Sequence, residues 1–242
     1  MKNSLDNFVA AYGEDFSFAF DNNIMLNWYP GRIMQLCPGR GSLLELGIGH
    51  GFTTNRFSQY FSRHVVIDGS ASVIEQFRNH YPDCQAEVVQ SYFEDFDTEE
   101  RFDVIVMGFV LEHVADPGLV LQRFKKFLSP GGRCFVAVPN GESLHRRLGH
   151  AAGLLDDLMK LGRCDLELGH QRQYSLDSLS DELREAGYRA VRKEGIFLKP
   201  MTTSQLQSLQ LDEKVIQAMC TVGIDYPELS CALLFQIEVP AE

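Results

Sequence analysis

The sequence predicts an α/β fold built on a doubly wound, mostly parallel sheet, and three observations carry that expectation. Short apolar runs alternate with amphipathic segments from residue 42 to residue 138, the pattern of strands joined by crossover helices. The run Phe102-Asp-Val-Ile-Val-Met107 is nearly all apolar, as a strand covered on both faces should be. The first apolar run ends in a glycine-rich turn, Gly47-Ile-Gly-His-Gly51, that opens onto a helical stretch.

Taken in order, the first forty residues are mixed and aromatic and read as helices leading into the core. Residues 42–46 form a buried strand, and 52–62 a helix with Phe52, Phe57 and Phe61 at helical spacing. Residues 64–67 are a second strand ending at Asp68. Residues 72–80 are a helix with Val73, Ile74 and Phe77 on one face. Strands follow at 86–89 and 102–107, then a helix at 117–128 stopped by Ser129-Pro-Gly-Gly132, then a strand at 133–138. Residues 139–174 break the alternation with five glycines among amphipathic stretches and read as a helical lid. A helix at 176–186, a strand at 188–197, a helix at 203–220 and a last strand at 231–239 complete the chain. That last strand should run antiparallel, because no helix leads into it as in the earlier crossovers. The chain thus divides into a helical lead (1–40), a ligand-binding core (41–140), a lid over an acceptor (141–174) and the remainder of the core with a helical insertion (175–242).

A chain of 242 residues with 45% hydrophobic and 23% charged residues has the composition of a globular domain. The net charge of -11 repels phosphate backbones and argues against a nucleic-acid partner. The six cysteines are scattered, with no CxxC pair, which argues against a zinc site and fits a reducing compartment. No apolar run is long enough for membrane insertion and none follows a basic leader, so a cytoplasmic location is expected.

The chemistry should lie beyond the carboxyl ends of the strands. Gly47 and Gly49 permit a tight turn, and Gly51 permits close helix packing. Glu45, two residues before the first glycine, can hold the ammonium of an amino-acid ligand. The GxGxG spacing differs from the GxGxxG of dinucleotide binders, which counts against a nicotinamide oxidoreductase. Asp68 ends the second strand and can accept both hydroxyls of a ribose, or cap the next helix, a task that Ser70 or Ser72 could perform instead.

Together these segments resemble the class I S-adenosylmethionine (SAM)-dependent methyltransferase family, with a Rossmann-like sheet. Leu111-Glu-His-Val-Ala-Asp-Pro117, Leu128-Ser-Pro-Gly-Gly132 and Gly169-His-Gln-Arg-Gln-Tyr174 resemble segments of its ubiquinone-biosynthesis-like and sugar-modifying branches. The resemblance implies SAM as cofactor and a small-molecule acceptor, sugar-like or quinone-like, methylated on O or N. It places Glu45, Gly47, Gly49 and Gly51 against the methionine part, and Asp68 with Gly69 against the ribose. Tyr92 stands where many relatives have an acidic residue, so Phe93 or its backbone is expected to take over adenine recognition with Tyr92 and Glu94 nearby. Phe109 and Leu111 would pack beside the sulfonium. Relatives with an E-x-x-E-H pattern can bind a divalent metal, but Phe109 replaces the first Glu. No metal is therefore expected, and Glu112 with His113 should begin a helix and orient the site. His113 and His170 are the catalytic candidates, His170 as general base or, with Arg172, as a tether of the lid. His145 and His150 read as surface positions. A SAM-binding regulatory protein without turnover is the alternative.

Overall fold

The computed structural model describes residues 19–39 and 41–240, so the lead helices expected before Ala19 lie outside the described residues. Among the described residues seven strands form one sheet: β1 (Ser42–Leu46), β2 (Arg63–Asp68), β3 (Glu87–Gln90), β4 (Phe102–Gly108), β5 (Leu128–Pro139), β6 (Arg189–Ile196) and β7 (Ala232–Glu238). Their order is β3-β2-β1-β4-β5-β7-β6. The pairings from β3 to β5 are parallel, while β7 runs antiparallel to both β5 and β6. The sheet is the doubly wound, mostly parallel one expected, and its last strand has the expected direction.

Alternation along the strands explains the layers. Leu44, Leu46, Ile105, Met107 and Val136 face one side, where α4 (Pro117–Phe124) and α7 (Leu176–Glu185) bury Val120, Leu121, Phe124, Leu179 and Leu183. Leu43, Val104, Val106, Phe135 and Ala137 face the other. There α1 (Ala19–Leu36) contributes Tyr29 and Ile33, and α2 (Phe52–Ser58) contributes Phe57. Helix α3 (Ala71–His80) seals Ile48 and Val66 with Val73, Ile74 and Phe77. Its N-cap is Ser70, whose hydroxyl accepts the Val73 N–H at 3.1 Å, so Ser70 rather than Asp68 caps the helix.

Two elements differ from the sequence expectation. The segment 117–128 is not one helix: α4 ends at Phe124, a tight turn follows, and Leu128 already belongs to β5. Ser129-Pro-Gly-Gly132 then forms an irregularity inside β5, where pairing jumps from Phe102↔Leu128 to Val104↔Arg133. Gly131 takes a left-handed φ of 74°, so the glycine marks a bulge rather than a helix stop. Residues 203–220 likewise split into α8 (Thr203–Ser208) and α9 (Glu213–Gly223). Gln210 is left-handed at φ 48°, and the Asp212 carboxylate caps a new helix through the Lys214 N–H at 2.8 Å.

Residues 141–174 carry two short helices, α5 (Leu144–Ala151) and α6 (Arg163–Glu167). Tyr174 closes the segment in the core, 3% exposed. Helix α1 is anchored at its start by a buried network: the Lys199 ammonium bonds to the Asp21 carboxylate and, at 3.0 Å, to Thr203 Oγ1. The Thr203 hydroxyl also donates to Asp21 at 2.7 Å.

Candidate active site

Sheet order reverses between β1 and β4, and a cavity of about 490 Å³ opens there at the carboxyl ends of the strands. Its walls are the turn after β1, the end of β2, the loop after β3 and the loop after β4. Helix α1 adds Asn22, Met25, Leu26 and Tyr29, and residues 168 and 170 also line it.

The glycine turn is shaped from within the fold. The Gly47 N–H donates to the Ile67 carbonyl at 2.8 Å, tying β1 to β2 where both end. Gly51 is left-handed at φ 80°, and a Cβ there would stand 2.7 Å from Phe77 Cδ2. Glycine is therefore required for both conformation and packing. At Gly49, also left-handed, a Cβ would meet nothing within 4 Å. The turn's backbone is thus open to the cavity.

Asp68 sits on the cavity wall. One of its oxygens accepts the Ile48 N–H at 2.9 Å and the other the Ser70 N–H at 2.8 Å. The carboxylate thus fixes the turn as well as facing the ligand space. Gly69, Tyr92 and Phe93 line the same wall, Tyr92 with 45% of its surface exposed. Glu45 lines the cavity, yet one oxygen already pairs with His64 at 3.0 Å, both side chains being buried. That internal partner had no signature in the sequence.

Phe109 reaches the cavity from a left-handed residue at φ 58° and meets Tyr29 edge-on, with centroids 5.6 Å apart. Leu111 does not reach it. Its side chain is fully buried in the core with α4 and α7, because the turn at 110–113 directs it away from the ligand space.

The loop after β4 is where the structure departs most from expectation. Glu112 and His113 lie in a turn, and the next helix starts only at Pro117, capped by the Asp116 carboxylate through the Leu119 N–H at 2.9 Å. Glu112 is 1% exposed, and no other residue donates a hydrogen bond to either oxygen. It therefore does not orient the site by hydrogen bonds. Burial drives its carboxyl up to about 7, only partly offset by His170, its own backbone N–H and Arg172.

His113 lines the cavity with its ring edge-on to His170, centroids 4.7 Å apart. Burial, and then the neighbouring His170, lower its imidazole to about 3, so it is neutral at ordinary pH. The His170 side chain lines the cavity, 9% exposed. Its Nδ1 stands 3.4 Å from Asp165 Oδ1, within ion-pair range but long for a hydrogen bond. Burial alone would raise Asp165, but its contact with His170 and the N–H of Gly162 hold that carboxyl below its usual range. The tethering is done by neighbours of His170. Arg172 donates to the carbonyls of Leu111, Val114 and Ala115, and the Gln171 side chain to that of His113 at 2.6 Å.

Glu112, His113 and His170 offer ligand atoms within 4.8 Å of one another, a carboxylate and two imidazoles that could hold a divalent cation. The expectation of no metal counted only neighbours in sequence and missed His170. His145, expected at the surface, is half-buried between Ser143 (3.2 Å) and Cys231 (3.9 Å), while His150 is exposed.

Comparison with known proteins gives the family and the fold. A family model described as a methyltransferase domain matches residues 28–193. The chain is 37% identical over 100 residues to a ubiquinone biosynthesis O-methyltransferase of Nitrobacter winogradskyi, covering 40% of this chain and 38% of that relative. It is 30% identical over 177 residues to one of Chelativorans sp., covering 70% of this chain and 67% of the relative. The chain thus spans well under half of the first relative's length and two thirds of the second's. Among solved structures, the Burkholderia thailandensis 1,6-didemethyltoxoflavin-N1-methyltransferase, with its substrate and S-adenosylhomocysteine bound, shares the fold. Its TM-score is 0.65 at 16% identity, over 98% of this chain and 87% of that one.

Proposed function

The chain belongs to the class I SAM-dependent methyltransferases, and on that premise we propose that it transfers a methyl group from SAM to O or N of a small-molecule acceptor. The observation that carries the reading is the arrangement of a single cavity. The glycine turn with Asp68 lines one part of it, and Glu112, His113 and His170 line another. When bound, SAM supplies a methyl group already activated by the positive sulfonium. Gly47, Gly49 and Glu45 would hold its methionine part, Asp68 and Gly69 its ribose, and Tyr92 and Phe93 its adenine. Phe109 and Tyr29 would wall the space beside the sulfur and exclude water.

The acceptor then needs alignment and, where it carries a proton, a base. His170 takes this role in our proposal, with Asp165 facing its Nδ1. The segment 141–174 and helix α1 together cover the acceptor, and the working compartment is the cytoplasm. The six cysteines, all among the described residues, are joined by no disulfide, which supports that compartment.

Calorimetry tests the reading. S-adenosylhomocysteine should bind in the micromolar range, about -8 kcal/mol. His170→Ala should leave that affinity almost unchanged while lowering methyl transfer from labelled SAM by about a hundredfold. Tight binding of NAD with none of S-adenosylhomocysteine would refute the cofactor. Binding without transfer to any acceptor would leave a regulatory SAM-binding protein.

A further inference from the structure

The described residues lining the cavity include four carboxylates, Glu45, Asp68, Glu94 and Glu112, and no lysine or arginine. Two of these are engaged inside the fold: Glu45 by His64, and Asp68 by the N–H groups of Ile48 and Ser70. Glu112 differs from both. It is buried to 1%, it lines the cavity, and no other residue satisfies its oxygens. Arg172 could have neutralised it, but its guanidinium is committed to three backbone carbonyls of the loop.

A buried carboxylate to which no other residue donates a hydrogen bond is a costly arrangement. A ligand carrying N–H donors relieves it, a cation most of all, whereas a second anion would be repelled. The wall nearby is aromatic. Tyr29 and Phe109 both line the cavity, and Glu112 is close enough to Tyr29 to help push its phenol upward, after burial and Glu45. Aromatic faces favour cations over anions. The Tyr29 hydroxyl donates to Thr53 at 3.2 Å and Glu94 is exposed to solvent, so of the lining carboxylates Glu112 is the buried one whose oxygens are open to a donor-bearing ligand.

We infer that the acceptor is an amine, held by N–H donation to the Glu112 carboxylate, and that phosphate- or carboxylate-bearing acceptors are excluded. This rests on the methyltransferase reading and narrows it to nitrogen. In the reaction the ammonium gives its proton to the His170 imidazole. The nitrogen lone pair forms the N–C bond, and the S–C bond breaks with its pair left on sulfur. The products are the methylated amine and S-adenosylhomocysteine.

Two matched probe sets test the inference: 2-phenylethylamine, 2-phenylethanol and phenylacetate, and butylamine, butanol and butyrate. Each is titrated into the full chain with and without saturating S-adenosylhomocysteine, in EDTA. At least one amine should bind about tenfold or more tightly than its alcohol, and the acids should not bind. Glu112→Gln, checked for fold by circular dichroism, should erase the preference and leave S-adenosylhomocysteine affinity within about twofold. Alcohols binding as well as amines in the unmodified chain would overturn the inference, and that comparison needs no variant. So would a preference that survives in Glu112→Gln, or amine binding that appears only when Zn²⁺ replaces EDTA, which would make the trio a metal site. Failure of S-adenosylhomocysteine to bind would strike the methyltransferase reading instead, while the titrations without it still decide the amine preference.

Discussion

Glu112 offers a direct measurement of what the site costs the fold. Its carboxyl is raised from 4.5 to about 7, chiefly by burial. Between those values the folded protein keeps a proton that the unfolded chain has released. The stability this provides is complete below about pH 4.5 and is lost as pH rises to about 7. Above that, the ionised buried carboxylate leaves the folded state about 3 kcal/mol worse off than a neutral side chain of the same shape would. The group is almost wholly buried, so solvent screening takes little from that figure. Glu112→Gln removes the ionisation and keeps the volume. Urea unfolding of the ligand-free protein in EDTA, from pH 4.5 to 8.5, should give nearly equal stabilities at the acid end. At pH 8.5 the variant should be more stable by about 3 kcal/mol. Titrating groups remote from Glu112 are common to both proteins and cancel, while His170 and Asp165, which act on Glu112, add a difference smaller than that of burial. A stability difference that stays constant across the range would refute the reasoning, since it would mean that Glu112 is solvated or paired in solution.

Other outcomes follow from the same geometry. Asp68→Ala should weaken S-adenosylhomocysteine binding by about 1.5–3 kcal/mol in calorimetry. It should also speed amide exchange at Ile48 and Ser70, whose N–H groups lose their acceptor; unchanged affinity would place the ribose elsewhere. Gly51→Ala forces a Cβ to within 2.7 Å of Phe77 in a left-handed residue. It should cost about 1–3 kcal/mol in thermal unfolding, and a neutral effect would show that α3 yields. Lys199→Met leaves the Asp21 carboxylate buried without its cation. It should destabilise the protein by about 3–5 kcal/mol, whereas Lys199→Met combined with Asp21→Leu should recover much of the loss.

What the sequence determined by itself is local. The glycine turn was legible because left-handed residues and close helix packing select glycine whatever lies beyond them. Asp68 was legible because it ends an apolar run at the edge of the sheet, and β4 because a doubly covered strand cannot alternate. The antiparallel β7 followed from the missing crossover helix. The bulge in β5 was not legible, since Ser-Pro-Gly-Gly stops a helix as readily as it kinks a strand, and pairing with β4 makes the choice. Nor was the break before α9, where Gln210 and Asp212 override a continuous helical spacing. The site itself was decided by tertiary structure. His170 meets Glu112 and His113 only because Gln171 and Arg172 fasten its segment to the loop after β4. Tyr29 and Met25 reach the cavity because α1 is docked on the sheet by distant partners, Lys199 at Asp21 and Glu194 at Arg32. Leu111 turns into the core and Glu112 into the cavity, although they are adjacent in a turn whose direction no periodicity encodes. Burial, and with it the pKa of a carboxylate, depends on which distant segments exclude water from it, and a sequence read along one dimension carries no record of that.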